Sequence, residues 1–377
     1  MKSLKYLFLV LILILLMAAC TDKSLSPIFF TLETERSLDD DRGMPDNANV
    51  YNVVNAADTK YFAAANTVFV RDWGSSSATW TSIAPPESGS LCNTIEYFAG
   101  SSEVVAWYYR TSDGSSLGLH KRTAAETSWT AIADSNVSAS DIEVTLLKES
   151  NGILFVGTES GGQYSLYYSS DAVTFIATGI TSISEAILDI AYDSTANDYW
   201  LITLPGLPIP KFLYQDNDAT LPDNFSNVTV AEGLSFSKPG GGLYYAAAPV
   251  SKLYLSAENG QIYIRPSGGS WSSWSGDPVE VDGDPVKFTK FTETGTGQLF
   301  VGSKGNGYFS FADSLDTSLA YTDFTRRPSY NLYELYNGAI NAFFFDPPAA
   351  NIIFAGTTGA GLWRADYVGG EWLWVQE

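Results

Sequence analysis

From residue 50 to residue 377 the chain consists of short apolar segments separated by Gly, Pro, Asn and Asp. The apolar segments are four to seven residues long and rich in aromatic and β-branched residues, as in INAFFFD (340–346) and NIIFAGT (351–357). Segments of this length and composition are typical of β-strands joined by tight turns. No window keeps a helical apolar period for more than a couple of turns, so we expect few helices.

One segment type recurs along the chain, an apolar run followed by a glycine-containing turn. It occurs in GILFVGTESGG (152–162), KLYLSAENG (252–260), QLFVGSKGNG (298–307) and NIIFAGTTGAG (351–361). TANDYWLITLPGLPIPKFLYQD (195–216) has the same order of features, and looser copies lie around Phe62 and Val105. The copies lie about fifty residues apart or twice that, a period typical of propellers and solenoids. Seven copies predict an all-β fold, a seven-bladed β-propeller with four antiparallel strands per blade.

The repeated run fits the second strand of a blade, which is apolar on both faces because neighbouring sheets cover it. Aromatic residues follow at the position of the fourth strand, where large rings fill the gap between twisted sheets. The last copy contains four apolar segments, so we expect the ring to close without an exchanged strand. Whether IFFTLE (28–33) adds an outer strand to the first or last blade is left open.

The beginning of the chain has the pattern of an export signal. Lys2 and Lys5 precede an apolar run from Tyr6 to Ala19, which is too short for a comfortable membrane span. The run ends in LMAAC (16–20), which resembles the lipobox of bacterial lipoproteins, although Met17 departs from the usual pattern. The resemblance implies that Cys20 carries lipid such as palmitate and becomes the mature N-terminus. The alternative is an ordinary cleaved signal in which Cys20 is incidental.

We therefore divide the chain into a signal peptide (1–19), a lipidated cysteine with an acidic tether (20–49) and a propeller domain (50–377). The tether is rich in acidic residues, and its run Asp39–Asp41 is better explained as solvated charge than as a calcium site, since no loop geometry supports a metal. A lipid-anchored protein would be exported and would face the periplasm or the cell surface.

Charge and cysteine content limit the partners. The formal net charge is −21, which repels nucleic acid and anionic headgroups, so contact with a membrane is expected through the lipid alone. The chain has two cysteines, and a lipidated Cys20 would leave Cys92 without a disulfide partner. We expect a monomer stabilised by a packed core, with no cofactor and no metal.

The stretch SSDAVTF (169–175) resembles the Asp-box hairpin of BNR-type propellers, with Ala172 where that motif has glycine. The resemblance implies a turn at the outer edge of a blade, in which Asp171 bonds backbone amides. Such turns are structural in enzymes and non-enzymes alike, so the resemblance says little about activity.

Some Asp-box propellers are sialidases or other glycoside hydrolases, which makes this the alternative function. A sialidase-like site needs three arginines that converge on a substrate carboxylate, a tyrosine nucleophile with a partner glutamate, and an aspartate that acts as the acid. The arginines here do not lie in that family's motif, and the single histidine, His120, has no nucleophile motif to join. We therefore predict no catalytic residues.

A propeller offers a rigid ring whose loops meet on one face around its axis. The turns between second and third strands carry the charged residues Glu159, Glu258 and Lys304, which we predict to contribute to ligand binding on that face. The alternative is that they are solvated turn residues. The sequence thus favours a non-catalytic binding or scaffold module of the cell envelope, with a protein or glycan partner.

Overall fold

The structure of this protein is a computed structural model. Its described residues run from 43 to 377 with gaps at 58–59, 74–78, 206–210, 219, 230–231, 233, 235–237, 248–249, 275–277, 295–297, 312–334, 336–337, 347–351 and 369–370. Cys20, the signal segment, the IFFTLE segment and Asp39–Asp41 lie outside them. Within the described part of the chain, no helix is long and apolar enough to cross a membrane.

The described chain forms seven antiparallel sheets that follow one another in sequence, which confirms the predicted seven-bladed β-propeller. Six sheets have four strands, and the sixth blade has three within the described residues. The strands are numbered in chain order. The first strands of the blades are β1 (Asn52–Ala57), β5 (Ser90–Phe98), β9 (Glu143–Ser150), β13 (Ile187–Asp193), β17 (Pro239–Ala246), β23 (Phe288–Glu293) and β26 (Ile340–Asp346).

The remaining strands pair outward from these in sequence order. The second strands are β2 (Lys60–Ala65), β6 (Glu103–Arg110), β10 (Ile153–Ser160), β14 (Asp198–Thr203), β18 (Lys252–Ala257), β24 (Leu299–Ser303) and β27 (Ile352–Thr357). The third strands are β3 (Thr67–Asp72), β7 (Ser116–Thr123), β11 (Gln163–Ser169), β15 (Leu213–Asp216), β19 (Ile262–Pro266), β25 (Tyr308–Phe311) and β28 (Leu362–Val368). The fourth strands are β4 (Thr81–Ile83), β8 (Thr130–Ala131), β12 (Ile176–Ala177), β16 (Ser226–Asn227), β20 (Ser272–Ser273) and β29 (Glu371–Gln376).

Two short elements join blades. A one-turn helix, α1 (Ser135–Ser138), precedes blade three, and a small hairpin of β21 (Glu280–Val281) and β22 (Asp284–Pro285) precedes blade six. Asp134 caps α1 by accepting a hydrogen bond from the backbone N–H of Asn136. Both elements are short, and the single turn of α1 agrees with the absence of a sustained helical apolar period in the sequence.

The core lies between neighbouring sheets. Strands β14, β18 and β27 are buried along their whole length, as expected for second strands covered on both faces. Aromatic residues next to the fourth strands fill the gaps, and Trp80, Phe175 and Trp274 are all buried. Phe324, which the sequence places in the same role, lies outside the described residues.

The ring closes between blades seven and one. Blade seven is complete in the order β26-β27-β28-β29, so closure within the described chain needs no exchanged strand, as predicted. The backbone N–H of Val50 donates to the carbonyl oxygen of Thr357 over 2.9 Å. A Cβ at Gly356 would lie 2.9 Å from the Val50 carbonyl oxygen, so glycine permits this close approach of the two blades.

Side chains complete the same seam in what we call the closure cluster: Arg71, Trp73, Trp80, Arg364 and Glu377. The buried carboxylate of Glu377 accepts hydrogen bonds from the Trp80 indole (3.0 Å) and from Arg364 (2.7 Å), and it also pairs with Arg71. The guanidinium carbons of Arg71 and Arg364 lie 4.1 and 4.7 Å from the Trp73 ring centroid. Charge and cation–π contacts therefore join blade seven to blade one.

Candidate functional site

The first strands of all seven blades surround a central cavity of about 1330 Å³. Each first strand contacts that of the next blade, and β26 contacts β1, which completes the ring. The wall is mixed in character. It combines carboxylates, lysines, amides and aromatic rings, including Tyr51, Tyr97, Tyr244 and Phe343. Ligand sites are usually concave and combine apolar and aromatic side chains with a few polar groups, and this wall is more polar than is usual.

β-Bulges in the first strands form part of the cavity wall. In blades two, three, four and seven the pairing of the first strand with the second skips one residue, respectively Asn93, Thr145, Leu188 and Asn341. All four residues line the cavity. A β-bulge leaves its extra residue outside the ladder and turns its side chain. The bulges therefore supply side chains to the cavity that pairing does not constrain.

Blade five has a larger irregularity. Pro239 pairs with Ala257 and Leu243 pairs with Leu255, so the three glycines Gly240–Gly242 bulge out of the ladder. A Cβ at Gly240 would lie 1.9 Å from the carbonyl oxygen of Phe288, so the first strands of blades five and six approach too closely for a side chain. Gly241 has φ +97° and open space around its Cβ position. The wall there is bare backbone.

The most connected charged group in the cavity wall is Asp189. Its Oδ1 accepts hydrogen bonds from Lys148 Nζ (2.6 Å) and the N–H of Ile190 (2.9 Å). Its Oδ2 accepts from Lys290 Nζ and from the N–H of Leu243, both over 3.0 Å. Burial alone would raise the pKa of Asp189, but Lys148 and Lys290 hold that pKa below its usual value. One carboxylate therefore connects blades three, four, five and six.

Two further carboxyl groups line the cavity at the ends of β5 and β9. Burial raises the pKa of Glu96 to about 8, and the nearby Glu149 carboxylate adds to that shift. Burial also raises the pKa of Glu149, whose Oε1 accepts a 2.5 Å hydrogen bond from the N–H of Gly152. Near neutral pH Glu96 is therefore largely protonated, and it can donate a hydrogen bond as well as accept one.

Of the three predicted binding residues, Glu258 and Lys304 lie in turns between second and third strands, as expected, and the structure brings these two together. Glu159 is instead the penultimate residue of strand β10. Glu258 accepts hydrogen bonds from Lys304 (2.7 Å) and Lys238 (3.1 Å). These two lysines lower the pKa of Glu258, although its partial burial acts in the opposite direction. Lys304 also lines the cavity. Glu159 lies in blade three, where its Oε1 accepts the N–H of Gly162 in the turn that follows β10. Their part in binding stays a prediction.

The sequence reasoning missed the Asp189 cluster because it placed binding in the turns. The available signal was a charged residue in the interior of a first strand, Asp189 in ILDIAYD (187–193) and Lys290 in FTKFTE (288–293). Such a residue lies on the innermost strand of a blade, so its side chain has only the cavity or a neighbouring blade to face. No arginine occurs among the described residues that line the cavity.

The Asp-box-like stretch forms the turn between β11 and β12. Asp171 Oδ1 accepts the N–H groups of Val173 and Thr174, each over 2.8 Å, and Ala172 has φ +52° where the motif has glycine. An equivalent turn in blade four escaped the sequence reasoning. There Asp218 Oδ1 accepts the N–H groups of Thr220 (2.8 Å) and Leu221 (3.1 Å). These carboxylates organise outer turns.

The remaining candidate groups are enclosed. His120 is buried, with Nδ1 3.2 Å from the Gly118 carbonyl oxygen and its ring edge-to-face with Tyr108. Cys92 is a buried free thiol, and burial raises its pKa to about 12. Among residues 43–377 outside the gaps given above, no group of three His, Cys, Asp or Glu side chains is placed to hold a metal ion.

Comparison with known proteins finds similarity in structure alone. No protein-family model and no curated protein matches the chain. A GH74 enzyme of Niastella koreensis matches with TM-score 0.60 and 12% identity over 88% of this chain and 54% of its own. Virginiamycin B lyase of Staphylococcus aureus matches with TM-score 0.58 and 10% identity over 83% and 95%. The extracellular domain of BT4673 from B. thetaiotaomicron matches with TM-score 0.56 and 13% identity over 85% and 41%.

This chain thus spans less than half of the BT4673 domain and about half of the GH74 enzyme. At such identities the similarity establishes architecture and leaves activity open, since one fold supports many functions. The neighbours include enzymes as well as an extracellular domain of another kind. The protein is a seven-bladed β-propeller that shares its fold with these proteins.

Proposed function

We propose that this protein is a non-catalytic binding or scaffold module of the cell envelope, exported and held to a membrane by lipid on Cys20. The observation that carries the proposal is the central cavity, built from the first strands of seven blades and lined by fixed charges, amides and aromatic rings. Its ligand is a segment of an envelope protein or a glycan that enters the ring. The residues Glu159, Glu258 and Lys304 contribute at one end of that cavity.

The physical support is rigidity combined with chemical variety. Asp189 connects four blades, and the closure cluster joins the last blade to the first, so the wall is held in place before a ligand arrives. A preformed site loses less conformational entropy on binding than a mobile one. Gly241 gives the wall space, and the bulge residues Asn93 and Thr145 add polar side chains that lie outside the strand ladders.

Crosslinking in intact cells tests this function. A photo-crosslinking amino acid in place of Asn93 should capture a defined envelope component, whereas the same amino acid in place of Ser128, an exposed residue of the loop before β8, should not. Equal capture from both positions would contradict a central site. Mass spectrometry of the mature N-terminus tests the anchor, because a lipidated Cys20 adds the mass of acyl chains.

The alternative, a glycoside hydrolase, is favoured by one observation: the neighbouring carboxyl groups of Glu96 and Glu149 line the cavity, and the pKa of Glu96 is raised to about 8. A carboxyl group that keeps its proton at neutral pH can act as a general acid. Hydrolysis of a panel of fluorogenic glycosides by wild type, with loss in Glu96→Gln, would overturn the non-catalytic proposal in favour of this one.

A further inference from the structure

The cavity contains a cationic position that its own residues leave incomplete. We call Lys148 and Lys290 the lysine pair. Their side chains are 29% and 33% exposed, while the Asp189 side chain between them is 4% exposed. Two ammonium groups thus share one directly bonded carboxylate beside the cavity, and the partly buried Glu149 lies near Lys148.

The lysine pair also has more hydrogen-bond donors than the described part of the protein offers acceptors. An ionised carboxylate has about four acceptor positions, and Asp189 uses four: the lysine pair and two backbone N–H groups. Each ammonium has three donors. Lys290 uses one on Asp189, and Lys148 uses one on Asp189 and one on the carbonyl oxygen of Leu243 at 3.3 Å. Among the described residues, three N–H donors of the lysine pair therefore have no protein acceptor.

The neighbouring wall leaves room for a ligand at this position. Gly240 and Gly241 line the same cavity and closely precede Leu243, whose carbonyl oxygen accepts from Lys148, and nothing lies within 4 Å of a Cβ position at Gly241. A ligand backbone can approach bare backbone more closely than it can approach side chains. An anion with two oxygens would bridge the lysine pair and use the remaining donors.

The rest of the cavity selects against a ligand that is anionic throughout. Glu143, Glu149 and Glu293 line the same cavity, and the whole chain has a net charge of −21. Such a field repels polyanions and attracts cations. The third lysine of the wall, Lys304, is paired with Glu258. The complementary ligand therefore has one carboxylate for the lysine pair and positive charge elsewhere.

We propose that the lysine pair binds the free C-terminal carboxylate of a peptide segment whose preceding residues include lysine or arginine. This rests on the proposed binding function and names the ligand for it. A peptide C-terminus supplies one carboxylate at the end of a chain, and its basic side chains would face the glutamates of the wall. Capture of a terminal carboxylate by cationic groups and backbone is a known mode of peptide recognition.

Two fluorescein-labelled peptides of sequence Ala-Lys-Lys-Ala, one with a free carboxylate and one amidated, test the proposal by fluorescence anisotropy on the intact protein. We expect the free acid to bind at least about tenfold more tightly, since charge-assisted hydrogen bonds are lost in the amide. Lys290→Gln should reduce this preference towards unity. Lys121→Gln removes an ion-paired lysine outside the cavity and should leave the preference unchanged.

Equal binding of the two peptides, or binding of neither to folded wild type, would overturn the proposal. So would equally tight binding of Ala-Glu-Glu-Ala, or lysine-dependent binding of an acidic oligosaccharide in place of the peptides. Thermal unfolding of Lys290→Gln verifies that it is folded, and Lys290→Arg, which keeps the charge, should keep the preference. If cellular crosslinking at the cavity succeeds while the peptides fail, the binding function stands and the carboxylate inference falls.

Discussion

Nη1 of Arg364 donates a 2.7 Å hydrogen bond to Oε1 of Glu377, and this contact lies at the seam where blade seven meets blade one. The other oxygen of the same carboxylate accepts the Trp80 indole N–H from blade one. In the described chain no strand is exchanged between the two blades. Side-chain charge therefore performs at this seam part of the task that an exchanged strand performs in other rings.

We expect Glu377→Gln to lower the free energy of unfolding by about 3 kcal/mol, because Arg71 would lose its ion pair with this carboxylate. Arg364 would lose the same carboxylate and keep its ion pair with Asp366. Urea denaturation followed by tryptophan fluorescence measures this change. Glu280→Gln, an exposed residue of β21, should stay within about 0.5 kcal/mol of wild type. Equal stability of the two variants would show that the closure cluster does not hold the seam.

Asp189→Asn should destabilise the ring by about 2–4 kcal/mol, since the substitution removes the carboxylate to which two ammonium groups of the wall are hydrogen-bonded. The pKa of Asp189 is lower in the folded protein than in the unfolded chain. Its contribution is therefore present above the unfolded pKa and disappears as pH falls below it. Denaturation at pH 7 and pH 3 measures both effects, with exposed Asp141→Asn as the control. A pH-independent difference would contradict this account.

Glu96 should make the protein less stable as pH rises. Its pKa is about 8 when folded and 4.5 without burial, so between these values the unfolded chain releases the proton first. Glu96→Gln should match wild type near pH 4.5 and exceed it by about 2–4 kcal/mol near pH 9. Denaturant midpoints at the two pH values measure this. A variant less stable than wild type at pH 9 would contradict the assigned shift.

Gly240→Ala should cost more stability than Gly241→Ala. The first substitution places a Cβ 1.9 Å from the Phe288 carbonyl oxygen, which forces blades five and six apart. The second meets no neighbour within 4 Å, and its cost is the strain of alanine at φ +97°, about 1 kcal/mol. Thermal unfolding of both variants tests the order. The reverse order would show that the two strands can separate without loss.

The fold was predictable because the sequence pattern that produces it is repeated along the chain. The second strands carry a similar apolar run seven times, and their burial follows because neighbouring sheets cover both faces. The cavity chemistry was not predictable in the same way. Lys148 and Lys290 are not part of the repeated pattern, and more than a hundred residues separate them in the chain. Only the folded ring therefore brings both lysines to Asp189. The contact of Glu377 with Arg71 also depends on ring closure.

The first-strand bulges separate the residues that can contact a ligand from the residues that pair the strands. Asn93, Thr145, Leu188 and Asn341 stand outside the strand ladders and face the cavity. Replacing them changes what the cavity can recognise without removing a ladder partner of the second strands. The same scaffold could therefore be diversified at these four positions, by evolution or in a designed library, to yield receptors of different specificity.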